Sequence, residues 1–192
     1  MLVDRHRRGL IHGARSSERA FLLAGPLGRV GVHPMTALPD RRYWLMKSEP
    51  QECSIDDALA AAASTVPWVG VRNYQARNFM RDAMRPGDGV LFWHSGCEPP
   101  GIAGLAEVAS APYPDPTQFE PGSPYHDPAA RPDAPRWILV DVRALRRTPY
   151  LTPTALRAHP ELAGLQVLRR GNRLSITPVT PREWAFLGGL LG

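Results

Sequence analysis

The chain has 192 residues, 43% of them hydrophobic, enough for one domain with a single buried core plus a tail. No apolar run approaches the roughly 20 residues of a membrane-spanning helix, so a soluble protein without a membrane partner is expected. The formal net charge is +5, yet residues 1–42 hold eight arginines against three acids, leaving fifteen basic and fifteen acidic residues in 43–192. A core of zero net charge over 43–192 cannot draw its affinity from broad phosphate neutralisation, so any nucleic acid must be held by a local patch or a base pocket.

Residues 1–40 combine Arg, Ser, Gly and Pro without a sustained apolar period and are read as a tail outside the fold. The tail is either an arginine-rich presequence or a stretch ahead of a true start at Met35, which opens MTALPDRRYWLMKSEP. The domain is expected over 41–192. YWLMKS (43–48) reads as a strand that ends before Glu49-Pro50. Ser54 with Asp57 three positions on is a capping pair, which predicts a helix to about Ala63. VPWVGV (66–71) is extended. Asn73 then caps a helix whose apolar face is Ala76, Phe79, Met80, Ala83 and Met84, and Pro86-Gly87 ends it.

GVLFWHS (89–95) and GIAGLAEVASA (101–111) read as paired strands, and 112–135 as a long proline-rich loop of the kind that is functional or disordered. RWILVDVRALRR (136–147) is a long strand. Short helices start at Thr152-Pro153 and Pro160-Glu161, RLSITPV (173–179) is a strand, and Thr180-Pro181-Arg182-Glu183 opens the last helix with a cap, a first-turn proline and an acid at the third position. These elements make an α+β fold with a mixed sheet of about five or six strands.

Candidate chemistry is sparse. His94 and Ser95 are adjacent on a strand and point to opposite faces, so they cannot form a nucleophile–base pair. Cys53 and Cys97 belong to no CxxC pair. His94, His126, Asp127, His159 and the two cysteines lack the spacing that preforms a metal site, so neither metal nor cofactor is expected. Reduced cysteines suit a cytoplasmic location. RRGNR (169–173) is a β-turn around Gly171 or, alternatively, a set of nucleic-acid backbone contacts through Arg169, Arg170 and Arg173. Arg77, Arg81 and Arg85 form a row at i, i+4 with no acid on it, either a solvated ridge or a phosphate-contacting one. GVRNYQARN (70–78), with Trp68, Phe92 and Trp93 nearby in the pattern, has the amides and rings a base pocket needs. The same aromatics also fit a plain core.

The ordered motifs YWLMKSEP, SIDDAL, GVRNYQARNFMR, VLFWHS, PPGIAGLAEV, SPYHDP and LRRGNRLSITPVTPREW, spread over 43–187, strongly resemble the EVE domain family of the PUA-like superfamily. That resemblance implies a PUA-like pseudo-barrel flanked by short helices and a non-catalytic reader of a modified base. It favours modified cytosine in DNA, with an RNA-binding PUA- or ASCH-type module as the alternative. Bacterial members are often tied to restriction or modification systems, so a partner protein of that kind is implied, and this chain would be a stand-alone, monomeric reader. EVE domains are similar to YTH domains, which cage a methylated adenine. By that likeness the pocket would comprise Lys47, Ser48, Trp68, Val71, Arg72, Asn73, Tyr74, Phe92, His94, Ser95, Tyr125 and Asp127. Trp68 would supply the stacking face, since Arg72 falls where YTH domains carry a caging Trp. Backbone contacts would come from Arg77, Arg81, Arg169, Arg170 and Arg173. An enzyme using Glu107 or Asp141 as a base is the competing class.

Overall fold

A computed structural model describes residues 40–192; the tail reading for 1–40 falls almost wholly outside them. Among the described residues there are eight strands: β1 (Tyr43–Ser48), β2 (Thr65–Pro67), β3 (Gly89–His94), β4 (Gly101–Val108), β5 (Tyr113–Pro114), β6 (Ile138–Leu139), β7 (Asp141–Leu151) and β8 (Ile176–Val179). Six of them form one sheet in the order β2-β7-β4-β3-β1-β8, and β5 pairs with β6 apart from it. β1 and β3 run parallel, and the other described pairs are antiparallel. The α+β class and the six-strand mixed sheet agree with the sequence.

Strand alternation explains why the central strands are apolar throughout. On β1, Tyr43 and Leu45 face one core with Leu91, Trp93, Ile102 and Trp184. Trp44 and Met46 face a second core with Ile55, Trp68, Met80 and Phe92. The first is covered by α4 (Pro153–Arg157) and α5 (Pro181–Leu191), whose Trp184 stacks on Tyr43 at 4.4 Å. The second is covered by α2 (Ile55–Ala60) and α3 (Tyr74–Asn78). A sheet buried on both faces cannot show the polar alternation of a half-exposed one. At the Pro86–Asp88 turn the buried Asp88 carboxylate accepts from Trp44 Nε1 and from the backbone N–H of Arg42 and Arg85.

Both predicted capping boxes form, Ser54 with Asp57 and Thr180 with Glu183. Several boundaries differ; among them β8 starts only at Ile176 and β4 ends at Val108. Helix α2 stops at Ala60, where Ala61 turns to extended backbone, and Ala63 and Ser64 then take positive φ, 52° and 51°. A one-turn helix α1 (Pro50–Cys53) precedes it, where the sequence showed only the strand end. Helix α3 passes into a π turn at Phe79–Ala83, closed by Met84 N–H to the Phe79 carbonyl at 2.9 Å, which keeps Ala76, Met80 and Met84 buried. The expected strand 136–147 breaks at Val140, whose carbonyl accepts from Trp68 N–H at 3.0 Å; β7 then runs on to Leu151. Among the described residues no helix is long and apolar enough to cross a membrane.

Candidate functional site

Because β1 and β3 are parallel, their carboxyl ends meet, with Ser48 opposite His94. Three further segments converge on that edge: α1, the turn 69–72 and the loop 112–135. Ser48 Oγ donates to the Cys53 carbonyl at 2.7 Å, fastening α1 to the strand end. Ser95 N–H donates to the Ser48 carbonyl at 2.8 Å, and Ser95 Oγ to the same oxygen at 3.3 Å. His94 Nε2 accepts the Ile55 N–H at 3.0 Å and so serves as an N-terminal partner of α2. Burial holds its pKa below the ordinary histidine value, against the pull of Asp56 and Asp57. An accepting Nε2 requires the neutral ring with its proton on Nδ1.

Opposite α1 lies the Tyr125 ring. It sits on Gly70, where an added Cβ would come within 2.6 Å of the ring, and Gly70 itself has φ +83°. The Tyr125 hydroxyl donates to Glu52 Oε1 at 2.5 Å, bridging the loop to α1. Burial, followed by the bond to Glu52, pushes the phenol up to about 12. A flat ring, a carboxylate, two serine hydroxyls and the main chain of a turn thus line one edge of the sheet.

Arg72 holds the loop in place. Its Nε and Nη2 donate to the Tyr125 carbonyl, Nη1 to Asp115 Oδ2 at 2.8 Å and to the Val71 carbonyl at 3.2 Å, and Nη2 also to Thr117 Oγ1 at 3.0 Å. All five guanidinium N–H groups are therefore used. Asp115, 1% exposed, also accepts from Gly70 N–H at 3.0 Å. Burial would raise its pKa, but the bonds from Thr117, Arg72 and Gly70 outweigh that and lower it. Gln118, fully buried, bonds the Asp115 and Trp137 carbonyls through its amide nitrogen and the Arg136 and Trp137 N–H groups through its oxygen. The proline-rich loop is thus tied down by buried side chains.

Several expected pocket members take other positions. Trp68 is buried with its ring edge-on to the fully buried Phe92 at 5.3 Å, so both are core and neither offers a free face for a base. Val71 is buried in the same core. Arg72 has no donor left for a ligand, and it replaces a caging ring with a clamp. Asn73 Oδ1 is occupied by the Gln75 and Ala76 N–H groups as the cap of α3. Tyr74 stacks on Trp137 at 4.9 Å, with the Arg77 guanidinium over its ring. Asp127 accepts from Trp137 Nε1 at 2.7 Å and from Ala129 N–H, which lower its pKa and make it a loop brace. Lys47 lies on the opposite sheet face from Ser48, by strand alternation with Leu45; burial lowers its pKa. Ser48, His94, Ser95 and Tyr125 do converge.

The arginine row is not a free ridge. Arg81 is paired with Asp82, Arg85 donates to the Asp82 and Met84 carbonyls, and Arg77 is bound to Asn78 and the Arg136 carbonyl. Glu107 is bound by Arg143 and Arg41, and Asp141 accepts from Tyr113. Among the described residues no group of three or more His, Cys, Asp or Glu is placed to hold a metal. Sequence reasoning missed Glu52, Gly70 and Asp115. The signals were present in part: a glycine inside an otherwise apolar extended run, and Asp115-Pro116 at the head of a turn.

Comparison with known proteins agrees with this geometry. The EVE domain family model matches residues 42–189. Human thymocyte nuclear protein 1 is 43% identical over 162 residues, covering 76% of this chain and 72% of that protein. A crystal structure of a Pseudomonas putida protein superposes with a TM-score of 0.73 at 47% identity, covering 77% of this chain and 98% of that one. The human THYN1 protein in complex with 5-methylcytosine-containing DNA superposes at 0.72 with 40% identity, covering 78% and 96%. With the family model spanning nearly all the described residues, the chain belongs to the EVE domain family.

Proposed function

We propose that this chain binds DNA carrying a modified cytosine, 5-methylcytosine foremost, without altering it chemically. The observation that carries the reading is the likeness, across almost the whole domain, to a protein solved with 5-methylcytosine-containing DNA. The strand-end site supplies matching chemistry. A cytosine ring taken out of the stack meets the Tyr125 ring, whose stacking contributes about 1–3 kcal/mol. Glu52 is the acceptor suited to a cytosine amino group, and the Tyr125 phenol takes only its Oε1. The Ser48 and Ser95 hydroxyls and the Gly70–Val71 main chain border the same edge.

A non-catalytic role is supported by where the candidate bases are engaged. His94 spends Nε2 on a backbone N–H, and Ser95 Oγ turns to the Ser48 carbonyl instead of to His94. Glu107 and Asp141 lie in side-chain pairs on β4 and β7.

Equilibrium binding of identical duplexes carrying cytosine, 5-methylcytosine or 5-hydroxymethylcytosine tests the reading, with RNA counterparts in parallel. A preference of about tenfold or more for a modified duplex is expected, the scale on which one methyl group is discriminated. Equal affinity for all duplexes overturns it; preference for the RNA set favours the PUA-type module. Recovery of the modified nucleoside unchanged after incubation separates a reader from an enzyme.

A further inference from the structure

We propose that the turn Arg169–Arg173 is the phosphate-gripping edge of the DNA site, and that the Arg77–Arg81–Arg85 row is not. The inference rests on the DNA-binding reading above and assigns its backbone contacts. β8 lies beside β1, with Met46 opposite Ile176 and Lys47 N–H bonded to the Ser175 carbonyl at 2.8 Å. The chain from the turn therefore enters the sheet at the same end as Ser48, on the strand next to β1, where neighbouring strands lie about 4.8 Å apart. It borders the site on the side opposite β3.

The turn is shaped by bonds that spare its arginines. Gly171 has φ +79° with open space around it. Asn172 donates through Nδ2 to the Gln166 carbonyl at 2.6 Å and accepts the Leu174 N–H at 2.9 Å. Asn172 N–H reaches the Arg169 carbonyl at 3.2 Å, and Arg157 Nη2 the Leu168 carbonyl at 3.2 Å. Arg169, Arg170 and Arg173 are all exposed, and among the described residues none has a side-chain hydrogen bond or an acid partner. Three guanidinium groups within five residues repel one another until an anion joins them. The Arg77–Arg81–Arg85 row lacks that feature, because Asn78, Asp82 and backbone carbonyls already satisfy it. Residues 43–192 balance to zero net charge, and this turn, with Lys47, is where positive charge without an acid partner remains beside the strand ends.

Affinities for methylated and unmethylated duplexes, measured from low to physiological salt, test the assignment. Each phosphate contact adds about 0.9 to the slope of log K against log salt. Replacing Arg169, Arg170 and Arg173 together by Gln is expected to flatten that slope by about 2–3 and to weaken both duplexes about equally, by tenfold or more at low salt. Arg81→Gln leaves the slope unchanged, and the corresponding Lys variants of the turn retain most of it. An unchanged slope in the Gln variant overturns the proposal, as does a collapse of the methylated-to-unmethylated ratio at constant slope, or a drop in slope from Arg81→Gln alone. Absence of a methyl preference in the wild type would sink the proposed reader but not this assignment, which the slopes decide. Thermal melts confirm that the exposed substitutions leave the fold intact.

Discussion

Arg72 and Tyr125 are locked together twice: the guanidinium bonds the tyrosine's carbonyl through two nitrogens while its carbon lies 5.5 Å from the centre of the same residue's ring. One side chain thereby fixes both the backbone and the ring of the residue that roofs the site, and it is anchored in turn by the buried Asp115. Removing it, as in Arg72→Leu, strands Asp115 without its cation. A loss of about 3 kcal/mol is expected, the low end for breaking a buried pair, since the arginine is partly exposed. Chemical denaturation measures it. Asp115→Asn, which keeps the shape, costs less than Arg72→Leu.

Tyr125 separates ring from hydroxyl. Tyr125→Phe keeps the stacking face and removes the bond to Glu52, so affinity for methylated duplex is retained or rises. Tyr125→Ala removes the face and lowers affinity by about 1–3 kcal/mol. Titration of fluorescent duplexes distinguishes the pair; equal losses in both variants would show that the hydroxyl is what matters.

Gly70→Ala is expected to disturb both stability and binding. A side chain at φ +83° costs about 1–2 kcal/mol by itself. The added methyl would also meet the Tyr125 ring at 2.6 Å, forcing the loop outward. A crystal structure or thermal melt of the variant reads the change, and Tyr125→Ala in the same chain should relieve the part due to the collision.

Asn73→Ala tests a cap. Losing two backbone bonds at the start of α3 lowers stability by about 1 kcal/mol. Discrimination between cytosine and 5-methylcytosine should not move, because the Asn73 oxygen is directed at its own helix.

Acid weakens the fold through His94. Its folded pKa is depressed by burial below the unfolded value of 6.5, so between those two values the unfolded chain binds the proton more readily. Stability contributed by the neutral ring is therefore present above 6.5 and falls as pH drops from there toward the folded pKa. His94→Gln, which retains an acceptor for Ile55 N–H, flattens the dependence of melting temperature on pH in that window.

Local signals were legible in the sequence because their causes are local. The two capping boxes, the Asn73 cap and the apolar stripe Ala76, Met80 and Met84 depend on residues three or four apart, and all are present, the stripe carried on by the π turn. The site was legible in part. Ser48, His94, Ser95 and Tyr125 come together, but the role of Arg72 depends on Asp115, 43 residues away, and on Tyr125, 53 away. No periodicity encodes such a pairing. Trp68 was misplaced for a related reason: a tryptophan beside a polar turn has the same sequence signature whether its ring faces a cavity or, as here, the edge of Phe92. The arginine row looked unbalanced because Asp82 lies off its i, i+4 line, yet adjacent in space to Arg81.

The parallel pairing of β1 with β3 has a consequence for how the domain assembles. Tyr43 pairs with Gly89, so the strand ends that frame the site meet only after the intervening 45 residues have been looped back. Such a distant closure surrenders chain entropy before any contact rewards it, and it falls among the slower steps of folding. The recognition edge is therefore completed together with the tertiary sheet, and no peptide excised from around GVRNYQARN would carry it.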